Sequence, residues 1–454
     1  MSYPRVMSCE LARNLAGRSP LATLSSCNGE LYLDAQRTTG RGRMALMTTR
    51  TDAPAAKAGR RIGDIAELSI ALVSGLTLAL TALFVCVVPL TGKIAGSRDF
   101  VVYWATGQQL VHHANPYDRQ TMGQIEHAAG LPVQAGAMFM RNPPWGLLLA
   151  LPLGIVGLRF GALLWSLALL ACLMVSVRML WIMHGRPMNR LHWLGLSFAP
   201  ALVCVIAGQT SLFALLGFVL FLRLHKSRPF LGGVSLWLCA LKPHLFLSFG
   251  AVLLAWIVVS RSYKLLAGAA VAMAASCGAV YSIAPSAWAQ YSQMMRTSGI
   301  EKEFIPCMGV LLRLWISPQT MWLQYLLPAL GCVWALSYFR SHRQTWDWMK
   351  HGSLVMLVSM VSAPYCWLFD QVLAIPALLQ AAYRTRPRTV LAILAFASVA
   401  VEVELVCNVN LPSIHYLWTA PAWLAWYIVA CATGGKNPDH SPYEPIEEFQ
   451  TRTS

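Results

Sequence analysis

The chain has 454 residues, of which 56% are hydrophobic and 12% are charged, and its mean hydropathy is +0.52. Soluble domains carry about 25% charged residues, so this composition excludes a soluble globular protein. The net charge of +16 could indicate a nucleic-acid partner. The basic residues, however, lie in a tail and in short loops beside apolar stretches, where they orient membrane spans. We therefore predict an all-α polytopic membrane protein and no nucleic-acid partner.

Both ends of the chain are polar. Residues 1–67 contain ten Lys or Arg and six Asp or Glu with no apolar period, which predicts a disordered basic tail. This stretch also lacks the short apolar core of a signal peptide. Residues 434–454 are predicted as a second tail. The residues between them, 68–433, are predicted as one transmembrane domain with an external loop at 92–144.

About twelve apolar stretches approach the length that crosses a hydrocarbon core of ~30 Å. Residues 145–158 are interrupted by Pro152 and Gly154, so we interpret them as lying in the interface instead of crossing. The loop at 285–319 is predicted to have no span. The predicted spans are roughly 68–91, 160–183, 192–207, 210–223, 229–241, 244–260, 264–284, 320–339, 350–366, 370–383, 388–407 and 414–432.

The basic loops alternate with loops that carry unusual polar motifs. An excess of Lys and Arg marks the cytoplasmic side, so both tails are expected in the cytoplasm and the polar motifs outside it. The expected location is an inner, or plasma, membrane of the bacterial type. Five histidines on the predicted cytoplasmic side are given no role: His184, His192, His225, His342 and His351.

The sequence gives no sign of a metal or a cofactor. The twelve cysteines lie mostly within apolar runs, and none form a Cys-x-x-Cys pair, so neither a zinc site nor a disulfide framework is indicated. His112 and His113 lack partners at metal-ligand spacing. We therefore predict no metal site and no cofactor.

Carboxylates are rare in the membrane region, with nine between Leu68 and Thr433. Asp99 is the first of them and follows the first span directly. The apolar pattern of residues 99–113 predicts an interfacial helix, with Asp99 at or near its N-terminus. Local sequence leaves two interpretations open: a helix cap, or a general base that takes a proton from an acceptor hydroxyl.

Lys242 stands between two apolar runs, where an ammonium is costly in lipid. Because Pro243 follows it, a helix break at the outer surface is expected. The ammonium would either suit a phosphate, with His244 as a second donor, or snorkel to the interface with nothing bound. Arg141 is a further possible anion contact or a snorkelling side chain. Gln209 is either a turn residue or a sugar ligand, and Asp370 could pair with Lys242 or Arg98 or bind sugar hydroxyls.

A set of motifs in fixed order resembles glycosyltransferase family 87, over about residues 90–375. This family was long listed as a domain of unknown function and belongs to the GT-C class of transferases that use polyprenyl-phosphate sugars. A histidine that many relatives carry in the last motif is absent here. The motifs are Arg98-Asp99-Phe-x-x-Tyr103-Trp104, Asn115-Pro116-Tyr117, Asn142-Pro143-Pro144, Gly208-Gln209, Lys242-Pro243 and Tyr365-Cys366-Trp367-x-x-Asp370.

The resemblance implies a GT-C-like bundle whose first external loop carries a catalytic aspartate, here Asp99. It implies a polyprenyl-phospho-sugar donor, such as a mannose donor, and a glycan or glycolipid acceptor. It places Lys242 near the donor phosphate. With it we group His244, Arg98 and Arg141 as donor phosphate contacts. The sugar or acceptor contacts we assign are Tyr103, Trp104, Asn142, Gln209, Trp367 and Asp370.

Two other functions are compatible with a polytopic membrane protein. A transporter or flippase of lipid-linked sugars would show internal repeats and ionisable residues at the midplane. No clear repeat is present, and the polar motifs collect at one face. An envelope-polymer ligase would also use a lipid-linked substrate, but with different loops.

Overall fold

In a computed structural model of the protein, the described residues are 53–90, 98–131, 138–299, 305, 307–385, 388–407 and 416–433. Within these ranges the protein is helical and contains no strand. The α-helices are α1 (Ala53–Leu90), α2 (Arg98–Val111), α3 (Arg119–Ala128), α4 (Leu158–Met183), α5 (Ala199–Ala207), α6 (Ser211–Leu224), α7 (Pro229–Cys239), α8 (Leu247–Ser260), α9 (Tyr263–Ile283), α10 (Ala287–Thr297), α11 (Met308–Ile316), α12 (Leu323–His342), α13 (Ser353–Val361), α14 (Ile375–Arg384), α15 (Arg388–Cys407) and α16 (Thr419–Thr433).

Several connections are 3₁₀-helical instead of extended. These short helices are Pro144–Leu149, Leu151–Ile155, Leu191–Gly195, Pro243–Phe246, Arg343–Thr345 and Leu368–Ala374, and a π-helical turn occupies Trp348–Gly352. Three of the six have a proline at their first or second position, which suits a helix start because proline lacks the N–H that would go unpaired there.

Four helices in the described ranges are long and apolar enough to cross a membrane: Arg61–Pro89, Leu158–Met183, Pro243–Ser260 and Tyr263–Ile283. They coincide with four of the predicted spans and indicate a membrane protein. Of the other predicted spans, 320–339 and 388–407 largely coincide with the 20-residue helices α12 and α15, and the remaining ones are occupied by shorter helices. The stretch predicted at 192–207, for example, is a 3₁₀ turn followed by the nine-residue α5, because Pro200 restarts the helix.

The sequence predictions need correction at two other places. The basic tail is predicted to extend to residue 67, but α1 begins at Ala53. Residues 53–61 are rich in the helix formers Ala, Lys and Arg, and Pro54 lies in the first turn, where proline is tolerated. The region 285–319 contains α10 and α11 where a loop was predicted. Predictions about residues 1–52, 434–454 and 408–413 lie outside the described residues.

Residues 145–158 form two 3₁₀-helices of six and five residues, Pro144–Leu149 and Leu151–Ile155. At a rise of ~2 Å per residue, each is about 10–12 Å long, far short of a hydrocarbon core of ~30 Å. This stretch therefore does not cross as a regular helix. Its second half packs against α2, the helix that carries Asp99.

The contact between α2 and this stretch depends on two glycines. A Cβ built on Gly107 would collide with the carbonyl oxygen of Ala150, and one on Gly154 would collide with the carbonyl of Gly107. The side chains of Trp104 and Gln108 then bond across the contact, Trp104 Nε1 to the Val156 oxygen at 3.0 Å and Gln108 Nε2 to the Gly154 oxygen at 2.8 Å. The position of α2 is therefore set by backbone-to-backbone packing.

We expect Gly107→Ala to lower both stability and activity, because the added methyl group meets backbone that has no rotamer with which to yield. Overpacking of this kind costs about 1–3 kcal/mol, and any movement of α2 also moves Asp99. The thermal midpoint and the transfer rate of the purified variant check this.

Gly250→Ala is the matched control for Gly107→Ala. Gly250 lies within α8, and its Cβ would meet nothing within 4 Å. Alanine is the better helix former by about 0.5–1 kcal/mol, so this variant should be at least as stable as the parent. Equal effects of the two substitutions would contradict the packing argument.

Candidate active site

A buried ion pair joins two distant parts of the chain. Lys242 Nζ lies 2.6 Å from Asp370 Oδ1, and Asp370 is 0% and Lys242 8% exposed. The Asp370 carboxylate also accepts hydrogen bonds from Ser211 Oγ at 2.6 Å and from the Trp367 backbone N–H at 2.9 Å. Burying a charge pair is costly unless its hydrogen bonds are satisfied, and here the protein supplies the donors.

The local chain explains why Lys242 points inward. Helix α7 ends at Cys239, and a 3₁₀ turn begins at Pro243, which excludes the α conformation at the residue before it. Lys242 accordingly has φ −133° and ψ 66°. Its ammonium donates to Gln209 Oε1 at 3.0 Å and lies 4.8 Å from the centre of the Phe369 ring. The prediction of a helix break at this lysine is thus confirmed by the backbone.

The turn that carries Gln209 touches the helix that carries Asp99. Gly208 ends α5 in the left-handed conformation, with φ 78°, and a Cβ there would lie 2.6 Å from the Phe100 Cβ and 3.0 Å from the Phe100 nitrogen. Only glycine permits both the backbone angle and this approach. Trp165 Nε1 donates to the Gly208 carbonyl at 2.7 Å, which fixes the turn from the opposite side.

Asp99 lies in the first turn of α2 and is half-buried. Burial raises the pKa of the nearby Tyr103 hydroxyl, and the carboxylates of Asp99 and Asp370 are both close enough to add to that rise. Asp99 is therefore on the same side of the protein as the Lys242–Asp370 pair. The two interpretations of Asp99, helix cap and general base, both agree with a position in a first turn.

The helix ends meet in one region. Helix α6 begins beside Asp370, at Ser211, and its 14 residues carry the chain about 21 Å away at 1.5 Å per residue. Helices α5 and α7 end at this region, and α13 ends just before the segment that contains Asp370. Pro364 and Gly208 thus belong to helix breaks that cluster at one end of the bundle.

Two residues assigned as sugar contacts lie behind this region. Tyr103 is 5% exposed, stacks on Trp165 with ring centres 5.1 Å apart, and has its hydroxyl 3.4 Å from Thr210 Oγ1 and 3.5 Å from Gln209 Oε1. Trp104 uses its only N–H on the Val156 carbonyl. These side chains therefore position α2 and Gln209, and a direct sugar contact is not evident for either of them.

Asp370 also differs from its assignment as a sugar ligand. It is fully buried, and both of its carboxylate oxygens accept protein hydrogen bonds. Of the partners considered for it, Lys242 is the one observed. The side chain of Arg98, the other candidate partner, lies outside the described residues.

The segment at 141–145 docks against the residues that precede Lys242. Trp145 Nε1 donates to the Ala240 carbonyl at 2.9 Å, and Asn142 Nδ2 lies 3.5 Å from the Leu241 carbonyl. Arg141 lies over the Phe139 ring, with its guanidinium carbon 4.9 Å from the ring centre. This segment is thus next to the ion pair, and its arginine is half-buried.

Aromatic rings also lie near the ion pair of Lys242 and Asp370. His244 stacks on Tyr365 with ring centres 3.7 Å apart, and Trp367 stacks on Phe369 at 6.1 Å. All four rings are half-buried. Of the assigned residues, the structure therefore brings together Lys242, His244, Arg141, Asn142, Gln209, Trp367 and Asp370, with Asp99 close by through Tyr103.

Sequence reasoning missed Ser211, whose hydroxyl donates a hydrogen bond to Asp370, because a serine at the start of an apolar helix gives no signal by itself.

Sequence reasoning also missed a hydrogen-bond network at the C-terminal end of α4. There His184 Nδ1 lies 2.9 Å from His192 Nε2, and the second nitrogen of His192 lies 3.0 Å from the Tyr383 hydroxyl. Both histidines are about 5% exposed or less, so they are part of the core packing there.

Comparison with known proteins gives one family. No curated protein and no solved structure matches the chain. The model of glycosyltransferase family 87 matches residues 139–364, a stretch that contains Lys242, Gln209 and Arg141, whereas Asp99 and Asp370 lie on either side of it. The chain belongs to glycosyltransferase family 87 and is an enzyme of the transferase kind.

Proposed function

We propose that the protein is an integral membrane hexosyltransferase. It moves a hexose, such as mannose, from a polyprenyl-phosphate-linked donor to a hydroxyl of a glycan or glycolipid acceptor. The reaction takes place at the outer face of an inner membrane, with both chain ends in the cytoplasm. The observation that carries this proposal is the buried pair of Lys242 and Asp370, held beside Gln209 at the end of the bundle where α2 presents Asp99.

Lys242 is suited to the departing phosphate. An ammonium has three N–H donors, and described residues accept two of them, at Asp370 Oδ1 and Gln209 Oε1. One donor remains for a ligand oxygen. Because the pair is rigidly held, its charge is already oriented when negative charge develops on the leaving group, which is the condition for electrostatic catalysis. His244, Arg141 and Arg98 are the other cationic or donor groups that we assign to this phosphate.

Asp99 is suited to the acceptor. A carboxylate within reach of the attacking hydroxyl can take its proton as the bond to the sugar forms. A retaining mechanism would need a second carboxylate as nucleophile, about 5–5.5 Å from the first. Asp370 cannot serve in that role, because it is fully buried and fully hydrogen-bonded. We therefore propose direct displacement with inversion at the sugar carbon.

The experiment is a transfer assay with purified protein in lipid nanodiscs. A panel of polyprenyl-phospho-sugars is supplied with candidate glycolipid acceptors, and release of polyprenyl phosphate is followed. We expect polyprenyl phosphate to be released from at least one lipid-linked donor. We expect no sugar transfer from a nucleotide sugar. Use of a nucleotide sugar instead, or movement of the intact lipid-linked sugar between leaflets without release, would contradict the proposal and favour a different donor class or a flippase.

A further inference from the structure

An apolar cavity lies among α14, α15, α16 and residues 194–198, apart from the elements that carry Lys242 and Asp99. The space inside it and at its mouth measures about 450 Å³, and ligand pockets in proteins measure roughly 300–1,000 Å³. A ligand of this cavity is apolar where it contacts the wall. The wall is built mainly of apolar side chains, among them Leu194, Phe198, Leu378, Leu394, Trp423 and Trp426.

The two hydroxyl groups in the wall are already hydrogen-bonded to protein. Ser398 Oγ accepts from the Ala199 N–H at 2.8 Å and donates to the Ser197 carbonyl at 3.0 Å. The Ser197 hydroxyl accepts from the Ser74 hydroxyl at 2.9 Å. A buried water needs two to four polar partners, and apolar cavities stay dry. Hydrocarbon therefore fits this cavity better than water or a polar ligand does.

Contacts with α1 show how deep the cavity lies. Ser197 in the wall bonds to Ser74, which is close to the middle of the apolar stretch Arg61–Pro89. Glu67, seven residues earlier in α1, contacts Arg388 at 3.6 Å, which is about 10 Å away along the helix. The cavity wall also includes the first turn of α15, which Arg388 begins. The cavity therefore lies between the middle of the membrane and the end of the bundle at Arg388.

Three arginines lie at that end of the cavity, each close in sequence to a different part of the wall. Arg190 precedes residues 194–198, Arg384 ends α14, and Arg388 begins α15. The neighbours of the first two are in contact, because the Tyr383 hydroxyl donates to Asn189 Oδ1 at 3.1 Å. Arg388 follows Arg384 by four residues. The three arginine positions thus converge at one end of the cavity.

The charge at this end is positive. Glu67 faces Arg388 and offsets its charge. Arg190 and Arg384 are both exposed, and neither forms an ion pair with a residue that the structure describes; Arg384 Nη1 lies 2.8 Å from Cys431 Sγ. Basic pockets between membrane helices suit anionic lipid headgroups, and arginine is well shaped to bind a phosphate.

We propose that the cavity binds one acyl chain of an anionic phospholipid, whose phosphate lies against Arg190 and Arg384. An excess of arginine marks the cytoplasmic side of a membrane, so this lipid belongs to the cytoplasmic leaflet. The site is separate from the Lys242–Asp370 pair and does not depend on the proposed function. Helix α5 starts beside the cavity and ends at the Gly208 turn, so a donor phosphate at Lys242 would lie beyond the opposite end of the cavity.

The test measures lipid binding to the full chain in detergent, by native mass spectrometry and by the thermal midpoint with added lipid. The probes are dioleoylphosphatidylglycerol, dioleoylphosphatidylcholine and undecaprenyl phosphate. We expect one phosphatidylglycerol to bind more tightly than phosphatidylcholine with the same chains, and to raise the thermal midpoint, because a ligand that binds only the folded state stabilises it.

The headgroup contact is tested by Arg190→Gln and Arg384→Gln. Affinity for phosphatidylglycerol should fall about fivefold for each arginine removed, the size expected for a cation near an anionic lipid. Affinity for phosphatidylcholine should stay unchanged. Arg228→Gln is the matched control, because Arg228 is also an exposed arginine but precedes α7, which does not line the cavity. An equal loss in Arg228→Gln would overturn the proposal.

The acyl-chain contact is tested by Ala395→Phe. Ala395 lines the cavity and is 2% exposed, so a phenyl ring there takes the space of the chain. Binding of phosphatidylglycerol should be lost, while the thermal midpoint without lipid should stay at or above that of the parent, because filling a cavity stabilises a fold. Full binding in a folded Ala395→Phe variant would overturn the proposal. If that variant does not fold, the exposed arginines still decide the question.

Two results with the parent would also overturn the proposal. Equal binding of phosphatidylglycerol and phosphatidylcholine would show that no anionic headgroup is recognised. Stronger binding of undecaprenyl phosphate than of phosphatidylglycerol, lost in Ala395→Phe, would assign the cavity to a polyprenyl chain instead.

Discussion

Asp99→Asn should abolish sugar transfer while the protein still inserts and folds. Asparagine has nearly the same shape and also favours a helix start, so the first turn of α2 is preserved. Its amide cannot accept a proton, and a positioned general base contributes about 10²–10⁴-fold. We expect a loss of that size in kcat with little change in donor binding, measured by release of polyprenyl phosphate and by direct binding of the lipid.

The same substitution at Asp118 is the matched control. Asp118 caps α3, accepting hydrogen bonds from the backbone N–H of Thr121 at 2.9 Å and from the Thr121 hydroxyl. These hydrogen bonds hold the pKa of the Asp118 carboxyl below its usual value. Because asparagine also caps helices well, Asp118→Asn should retain full activity. If Asp99→Asn behaves like Asp118→Asn, Asp99 is a helix cap and another group must take the proton.

Sequence alone indicated the features that depend on neighbouring residues. The proline after Lys242 predicts a break there, and the backbone has one. The apolar pattern at 99–113 predicts a short helix with Asp99 at its start, and α2 begins at Arg98. Such features follow from local backbone sterics and helix periodicity, which a single sequence records.

The sequence did not show which residues contact each other when they lie far apart along the chain. Asp370 could be matched in advance with Lys242 or Arg98, and nothing local distinguishes them, because the choice depends on how the Pro243–Phe246 turn packs against α13. Ser211 acquires its role from the same packing. The short, broken helices were also predicted as continuous spans, because apolar composition is similar in a lipid-facing helix and in a buried one. Several of these helices are covered by their neighbours, as α6 and α14 show.

The second large effect is expected at the ion pair. Lys242→Met removes the cation and leaves the Asp370 carboxylate buried, and breaking such a pair from one side costs about 3–5 kcal/mol. The same variant loses the donor aimed at the phosphate, for which a loss of about 10²–10³-fold in kcat is typical. The thermal midpoint and the transfer rate should therefore both fall. Lys226→Met is the matched control, because its pair with Asp347 is exposed and is worth at most about 1 kcal/mol.

A double variant separates the two roles of Lys242. In Lys242→Met with Asp370→Asn, neither charge remains, so the penalty for an unpaired buried ion disappears and much of the stability should return. The Trp367 N–H can still donate to the amide oxygen, and the Ser211 hydroxyl can accept a hydrogen bond from the amide NH2. Sugar transfer should remain lost, because no ammonium is present where the phosphate leaves. Recovery of transfer together with stability would show that the pair only supports the fold, and the role of Lys242 in the chemistry would have to be abandoned.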